Sequence, residues 1–153
     1  MRYHLPTLVL AGALVFAPDL GAQAKPKSTE VLTNQTVVQM VLGKLPKDVI
    51  MAKIQATQAD FDLSISGLVG LHTNKVPSDV MKAMMAKAGA KGATEVLTND
   101  SVIQMVTAKL PKDVIMAKIQ SSKKDFDTTT DGLVNLNTNK VPKDVIQVML
   151  VGG

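Results

Sequence analysis

The chain has 153 residues, a formal net charge of +4 and no cysteine. Without cysteine, the protein forms no disulfide and carries no lipid on a cysteine side chain. The mild positive charge is more typical of solvated helix faces than of a nucleic-acid surface. Aromatic residues make up only 3% of the chain, which disfavours the stacking platforms that single-stranded nucleic acid needs.

The first 24 residues have the features of a signal peptide. Arg2 belongs to a short polar start, residues 8–16 are apolar, and residues 21–24 are mostly small. The apolar stretch is too short for a membrane anchor. The sequence therefore predicts cleavage near Ala24 and a protein that is periplasmic or secreted, with no membrane span after cleavage.

The remaining chain repeats itself. Residues 30–84 and 95–149 are identical at 36 of 55 positions, at a constant offset of 65 residues and without a gap. A site that the repeat requires should therefore occur in both copies. The predicted organisation is a signal peptide at 1–24, a polar lead-in at 25–29, copy 1 at 30–87, a linker at 88–94 and copy 2 at 95–153.

Apolar residues within each copy recur at helical spacing. Asn34, or the threonine before it, is a candidate N-cap for a first helix. Proline followed two residues later by aspartate marks further helix starts, since proline suits the first helical position. In copy 1 we expect helices at roughly 34–43, 46–57, 63–72 and 77–86. The predicted fold class is all-α, with two homologous modules of four short helices each, in tandem.

A finer repeat divides each copy into two helix pairs. KLPKDVI at 44–50 resembles KVPSDVM at 75–81, at an offset of 31 residues. Such pairs either stack into an array or close into globular bundles. The aliphatic residues look too few for one continuous ridge together with polar capping repeats, so we expect two compact bundles.

The candidates for catalysis are few. After cleavage the only histidine is His72, and copy 2 has Asn137 at the equivalent place. A serine or threonine nucleophile needs a base, whereas a histidine near a helix C-terminus is also a common structural feature. The sequence predicts a protein that is not an enzyme, with no catalytic residues, no cofactor-binding residues and no cofactor.

Two aspartates flank the phenylalanine of each copy, in the sequence Asp-Phe-Asp at 60–62 and 125–127. Paired carboxylates serve general acid–base catalysis when burial separates their pKa values. The favoured interpretation is structural: Asp62 or Ser64, and likewise Asp127 or Thr129, caps a helix, while the phenylalanine fills the core.

Copy 2 also resembles part of a calcium-binding loop. Asp127, Thr129 and Asp131 supply oxygen ligands at loop positions 1, 3 and 5, and Gly132 stands at position 6. Position 12 is Thr138 instead of glutamate. These three residues are weak metal-site candidates, and the main prediction is that no metal is bound.

Two further sets of residues suggest binding surfaces. Methionines at helical spacing either fill the core or line an adaptable groove for partner helices: Met40, Met51, Met81, Met84, Met85, Met105, Met116 and Met149. Lysines are possible phosphate contacts, although no aromatic residues accompany them: Lys112, Lys118, Lys123, Lys124 and Lys143.

The repeat follows the pattern L-T-N-x-x-V-[VI]-x-M-V, then L-P-x-D-V-I-x-x-K-I, F-D-x-[ST]-x-x-G-L-x-x-L and V-P-x-D-V-[MI]. It resembles a repeat of small exported bacterial proteins of uncharacterised function, across residues 30–85 and 95–150. Members of that group often read GL-x-x-DVI, so Lys44 and Lys109 stand where the group has a turn glycine. The resemblance implies a helical fold and no catalytic residues.

The sequence as a whole predicts a non-enzymatic exported binding or scaffolding protein whose partner is another protein. The alternatives are a calcium-responsive helical module and a mildly basic binder of anionic surfaces or nucleic acid.

Overall fold

The computed structural model of the protein describes residues 30–89 and 95–152. The predicted signal peptide, the lead-in and most of the predicted linker lie outside these residues. The described part confirms a mostly helical fold, and none of its helices is long and apolar enough to cross a membrane.

The elements of copy 1 are β1 Val31–Leu32, α1 Asn34–Leu42, α2 Lys47–Ala56, β2 Gln58–Ala59, α3 Ile65–Thr73 and α4 Ser78–Ala88. Those of copy 2 are β3 Val96–Leu97, α5 Asn99–Thr107, α6 Lys112–Ser121, β4 Lys123–Lys124, α7 Thr130–Thr138 and α8 Lys143–Gly152.

The helices of residues 30–89 and 95–152 form four hairpins, numbered 1 to 4: α1–α2, α3–α4, α5–α6 and α7–α8. Each turn contains a lysine in the left-handed region of backbone space. The four residues are Lys44 (φ 57°), Lys75 (φ 61°), Lys109 (φ 58°) and Lys140 (φ 58°). After α1, the Lys44 N–H donates to the Val41 carbonyl at 2.9 Å and the Leu45 N–H donates to the Met40 carbonyl at 3.1 Å. This is the Schellman pattern, in which glycine is the usual left-handed residue.

In copy 1, α2 and α4 begin one residue later than the sequence predicts, because proline occupies their N-cap position. Proline is also the N-cap of α6. The Pro46 carbonyl accepts hydrogen bonds from the N–H groups of Val49 and Ile50. Aspartate follows in the first turn, where the helix dipole favours a negative charge.

Threonine or serine caps the first helix of each hairpin. The Thr33 side chain accepts a hydrogen bond from the Thr36 N–H, and the Ser64 side chain accepts one from the Gly67 N–H. Asn34, the other cap candidate, does not cap α1, because its side chain bonds the Asp62 backbone. Each hydroxyl satisfies a backbone donor that lacks a partner within its helix.

The hairpins stack in chain order instead of closing into two bundles. The second helices contact one another in the order α2, α4, α6, α8, and the first helices in the order α1, α3, α5, α7. Contact between α4 and α6 joins the two copies as contact between α2 and α4 joins two hairpins of one copy. One core runs between the two layers and includes residues of both copies. The expected pair of compact bundles is therefore corrected to an array of hairpins.

The reason is visible at the ends of the array. Two compact bundles are expected only if polar capping repeats are needed as well as a continuous core. The outermost hairpins instead expose apolar residues, among them Val49 and Leu150. Within residues 30–89 and 95–152, the aliphatic residues therefore suffice for a continuous core, because neither outermost hairpin has a fully polar outer face.

Short parallel strands, which the sequence did not predict, accompany the helices. Within copy 1, β1 pairs with β2, and within copy 2, β3 pairs with β4. The Asp60 N–H extends the first pair by donating to the Leu32 carbonyl at 2.8 Å. These strands tie the start of each copy to the connection between its two hairpins.

Candidate binding surfaces

The Asp-Phe-Asp junction of each copy is held by an asparagine of the preceding hairpin. The Asn34 amide Nδ2 donates to the Asp62 carbonyl at 2.7 Å, and the Asp62 N–H donates to Asn34 Oδ1 at 3.1 Å. In copy 2, Asn99 makes the same two bonds with Asp127, at 2.9 Å and 3.0 Å. The side-chain amide thus pairs with the backbone as a neighbouring strand would.

The aspartate carboxylates shape the turn that leads into the next helix. Asp62 Oδ1 accepts a hydrogen bond from the Ser64 N–H at 3.0 Å. Asp127 Oδ1 accepts from the Thr129 N–H at 3.0 Å and from its hydroxyl at 2.6 Å. The two bonds from Thr129 hold the pKa of Asp127 below its usual value. Of the two predicted cap candidates, Ser64 and Thr129 are the N-caps.

The phenylalanines beside these aspartates differ between the copies. Phe61 is buried in the core, as predicted, whereas Phe126 is only partly buried and packs against it. The flanking Asp60 and Asp125 each donate their backbone N–H to a strand, at the carbonyls of Leu32 and Leu97. The junction therefore serves to hold each copy together.

The three metal-site candidates lie near the start of α7. Asp127 and Thr129 are bonded to each other, and Asp131 is an exposed residue of the first helical turn. Because α7 begins at Thr130, the later positions of the supposed calcium loop are helical. Within residues 30–89 and 95–152, no group of three or more histidine or acidic side chains is arranged to hold a metal ion.

The glycine of the calcium-like pattern has a packing role. A Cβ atom on Gly132 would lie 2.3 Å from the Asp127 carbonyl oxygen, and one on Gly67 would lie 2.3 Å from the Asp62 carbonyl oxygen. Only glycine allows the helix to approach the preceding turn this closely. Close packing thus explains the Asp-x-[Ser/Thr]-x-x-Gly spacing of both copies.

His72 lies partly buried in the last turn of α3, as the sequence predicts. Among the described residues, no hydrogen bond joins its ring to a serine or threonine hydroxyl. The observed arrangement around His72 is that of a helix C-terminus, where a partial positive charge is favourable.

The candidate phosphate-binding lysines have different surroundings. Lys112 pairs with Asp144, while Lys123 and Lys124 form β4. Lys118 is only 1% exposed, so of the five candidate lysines it is not placed to contact a phosphate at the surface.

The burial of Lys118 arises where the two copies meet. Its Nζ has no hydrogen-bond partner in the described structure. Burial lowers the pKa of Lys118, and the charges of Glu95 and Asp62 only partly oppose this effect. The equivalent Lys53 lies at the first hairpin, where it is partly exposed and reaches Glu30 at 2.7 Å.

A row of lysine–aspartate pairs links successive hairpins, and the sequence did not reveal it. Lys47 lies 3.1 Å from Asp79 and so joins hairpins 1 and 2. Lys82 lies 3.4 Å from Asp79 and 2.9 Å from Asp113, which joins hairpins 2 and 3. Lys112 pairs with Asp144 and joins hairpins 3 and 4. These bonds lower the pKa of Asp79 and of Asp144 and raise that of Lys82.

Grooves lie between consecutive helices of the second layer. The groove between α6 and α8 has a volume of about 450 Å³ and is mainly apolar. Its lining includes Met116, Ile119, Val148 and Val151, with Lys124 and Asp144 among its polar members. The groove between α4 and α6 has a volume of about 470 Å³ and shares Gln120 with the first.

Most of the methionines belong to the core. Met81, Met84, Met85, Met105 and Met149 are buried. Met40, Met51 and Met116 are partly buried, and of these only Met116 lines the groove between α6 and α8. Met85 lines the groove between α4 and α6, so each of the two grooves has one methionine in its lining and neither is lined mainly by methionines.

Comparison with protein-family models, with curated proteins and with solved structures gave no match for this chain.

Proposed function

We propose that the protein is a non-enzymatic, exported binding or scaffolding protein that acts in the cell envelope or outside the cell. The stacked hairpins support this proposal most strongly. Arrays of helix pairs commonly present extended surfaces to other proteins, since each repeat adds to a continuous face. The residues that recur in both copies build the core and the helix starts, which leaves the surface free to differ between hairpins.

The groove between α6 and α8 is the surface that best fits a protein partner. The groove is mainly apolar, so it can accept apolar side chains of a bound segment. Lys124 and Asp144 are charged residues of its lining. The corresponding space between α2 and α4 is crossed by Lys87, whose Nζ donates to the Gln55 carbonyl at 2.8 Å. Gly152 stands at the position of that lysine in α8, so the equivalent lysine side chain is missing from the last groove, and the Lys124 side chain lies close to Gly152 instead.

Two measurements test the proposal. The first is fractionation of the source cells with sequencing of the protein's N-terminus. We expect the protein outside the cytoplasm with Lys25 as its first residue. An intact N-terminus on a cytoplasmic protein would reject export.

The second measurement compares affinity capture from envelope extract by the wild-type protein and by a Met116→Asp variant. Met116 is partly buried in the groove, so a charge there should disrupt an apolar contact. We expect a specific partner to bind the wild type and to be lost with Met116→Asp. The exposed Val134→Asp change on α7 is the control and should retain the partner. Equal capture by all three forms would reject the groove as the binding surface.

A further inference from the structure

Each hairpin has a face that packs on the preceding hairpin. The second helices carry a valine three residues after the proline, at positions 49, 80, 114 and 145. Val80, Val114 and Val145 are all 0% exposed, whereas Val49 of the first hairpin is 50% exposed. The difference identifies this position as the one that a preceding hairpin covers. The residue after the turn lysine shows the same difference in burial: Leu45 of the first hairpin is exposed, whereas the equivalent Leu110 of the third is buried.

The opposite face of each hairpin packs on the following one. Ile54, Met85 and Ile119 occupy the same helix position and are 0–4% exposed, whereas Leu150 of the last hairpin is 49% exposed. Ile146 is likewise only partly buried, although its equivalent Ile115 is buried. The last hairpin therefore exposes the face that the three others bury.

The two ends of the array thus expose complementary apolar faces. We call Met40, Leu45, Val49 and Asp48 the leading face, and Leu133, Ile146, Leu150 and Lys143 the trailing face. Helical arrays that remain monomeric usually end in repeats with a polar outer surface. Both ends of this array instead retain residues suited to packing against a further hairpin.

The junction between the copies shows how these two faces fit together. There, the trailing side of copy 1 packs on the leading side of copy 2 through α4 and α6. Leu110 and Val114 are covered at this junction, and the leading face presents the identical residues Leu45 and Val49. A second molecule placed after the first would make a similar contact, with Ile146 and Leu150 at the positions that Met81 and Met85 occupy in copy 1.

Charge at the two ends is also complementary. Lys47 reaches Asp79 of the next hairpin, and Lys112 reaches Asp144 of the next hairpin in the same way. In the described structure, Asp48 at the start of the array and Lys143 at its end make no ion pair. Lys143 would reach Asp48 of a second molecule by the same spacing. The nearby Lys53 is already paired with Glu30, so it does not present an uncompensated charge to the contact.

We propose that the trailing face of one molecule binds the leading face of a second copy, which extends the array head to tail. Such a contact joins two different surfaces, so each new molecule leaves one face of each kind open. Association therefore produces chains or closed rings instead of stopping at a symmetric dimer. This inference is independent of the proposed export and of the groove between α6 and α8.

The test measures molar mass by sedimentation over a range of concentrations, on chains with and without residues 1–24. We expect the mass of the wild type to rise with concentration beyond that of a dimer. Val49→Glu blocks the leading face and Leu150→Glu blocks the trailing face, because either places a charge in an apolar contact. Each variant alone should associate at least about tenfold more weakly.

Two controls separate this contact from general surface effects. Leu42→Glu changes a more exposed leucine of α1 whose equivalents Thr73, Thr107 and Thr138 are all exposed. Val151→Glu changes an exposed valine of α8 outside the trailing face. Both controls should associate like the wild type.

Mixing the two blocked variants tests the polarity of the contact. Val49→Glu retains a trailing face and Leu150→Glu retains a leading face, so an equimolar mixture should form a one-to-one dimer and grow no further. A wild type that stays monomeric, or that associates only when residues 1–24 are present, would overturn the proposal. So would dimers of either blocked variant alone, since these indicate like faces pairing with each other.

Discussion

Asn34 binds the backbone of Asp62 through both ends of its side-chain amide, with distances of 2.7 Å and 3.1 Å. The bonds span 28 residues and connect the start of hairpin 1 to the start of hairpin 2. Asn99 and Asp127 repeat the relationship in copy 2. This asparagine is therefore a tertiary contact as well as a residue near a helix start.

The first prediction concerns Asn99, which is more buried than Asn34. Asn99→Ala removes both bonds and leaves the N–H and carbonyl of Asp127 without their partner. We expect the free energy of unfolding to fall by about 1–3 kcal/mol, measured by urea denaturation. Asn137→Ala, on the exposed surface of α7, is the matched control and should change it by less than about 0.5 kcal/mol. Equal effects of the two changes would contradict the proposed role of Asn99.

Two glycines of α3 should respond in opposite directions to the same substitution. Gly67→Ala places a Cβ atom 2.3 Å from the Asp62 carbonyl oxygen, so the helix must move away from its preceding turn. We expect a loss of about 2 kcal/mol or more. Gly70 has no heavy atom within 4 Å of the added Cβ, and Gly70→Ala should stabilise the helix by about 0.5–1 kcal/mol. Thermal unfolding of both variants checks the sign; a stable Gly67→Ala protein would contradict the close approach.

Replacing a turn lysine by glycine should stabilise the protein. Lys44 has φ 57°, a conformation that glycine adopts more easily than residues with a Cβ atom. Lys44→Gly should raise the free energy of unfolding by about 0.5–1 kcal/mol. Lys44→Ala removes the same charge but keeps the Cβ atom, so it should leave stability nearly unchanged. If alanine stabilises as much as glycine, lysine charge and not backbone strain is responsible.

Local sequence signals predicted the helices well and their assembly poorly. The predicted ends of the helices of copy 1 lie within two residues of the observed ones, because threonine, serine and proline mark helix starts through bonds within a few residues. The same signals occur whether hairpins stack or close into bundles. Whether a face is buried depends on whether a neighbouring hairpin covers it. Val49 and Val114 lie in identical local sequence, yet Val49 is exposed and Val114 is buried.

The candidate surfaces could not be predicted from local sequence either. Lys53 and Lys118 lie in the same segment, KDVIMAKIQ, yet only Lys118 is enclosed, because within residues 30–89 and 95–152 a hairpin precedes Lys118 and none precedes Lys53. The row of lysine–aspartate pairs likewise depends on the distance between neighbouring hairpins. The calcium-like spacing of copy 2 was visible in the sequence, but the close approach of Gly132 to Asp127 that explains it was not.

Replacing the buried lysine should stabilise the protein. Lys118→Met keeps the length of the side chain and removes a charge that burial disfavours, so we expect a gain of about 1–3 kcal/mol at pH 7. The pKa of Lys118 is lowered by folding, so the unfolded chain binds its proton more tightly. The free-energy cost of burying the Lys118 ammonium is therefore full at pH values below its pKa in the folded protein. It disappears as the pH rises to the pKa of lysine in the unfolded chain, about 10.4.

The advantage of Lys118→Met over the wild type should therefore shrink between neutral pH and about pH 10. Denaturation curves at several pH values measure this trend. Lys53→Met is the matched control: its lysine is partly exposed and paired with Glu30, so the change should confer no gain. An advantage that grows with pH would contradict the assignment to a buried ammonium.

The last prediction concerns the dependence of the two copies on each other. Lys82 bonds Asp113 at 2.9 Å, and the Ile65 N–H of copy 1 donates to Glu95 of copy 2 at 3.3 Å. These bonds and the shared apolar core should hold the halves together when a protease site inserted into residues 90–94 is cut. We expect the cut chain to elute as one species and to unfold in one transition, at a concentration-dependent midpoint. Met85→Glu places a charge in the junction and should release the halves after cutting, whereas Leu42→Glu should not. Two separately folded fragments from the otherwise unchanged chain would indicate independent domains, because a continuous core cannot be divided without exposing its apolar faces.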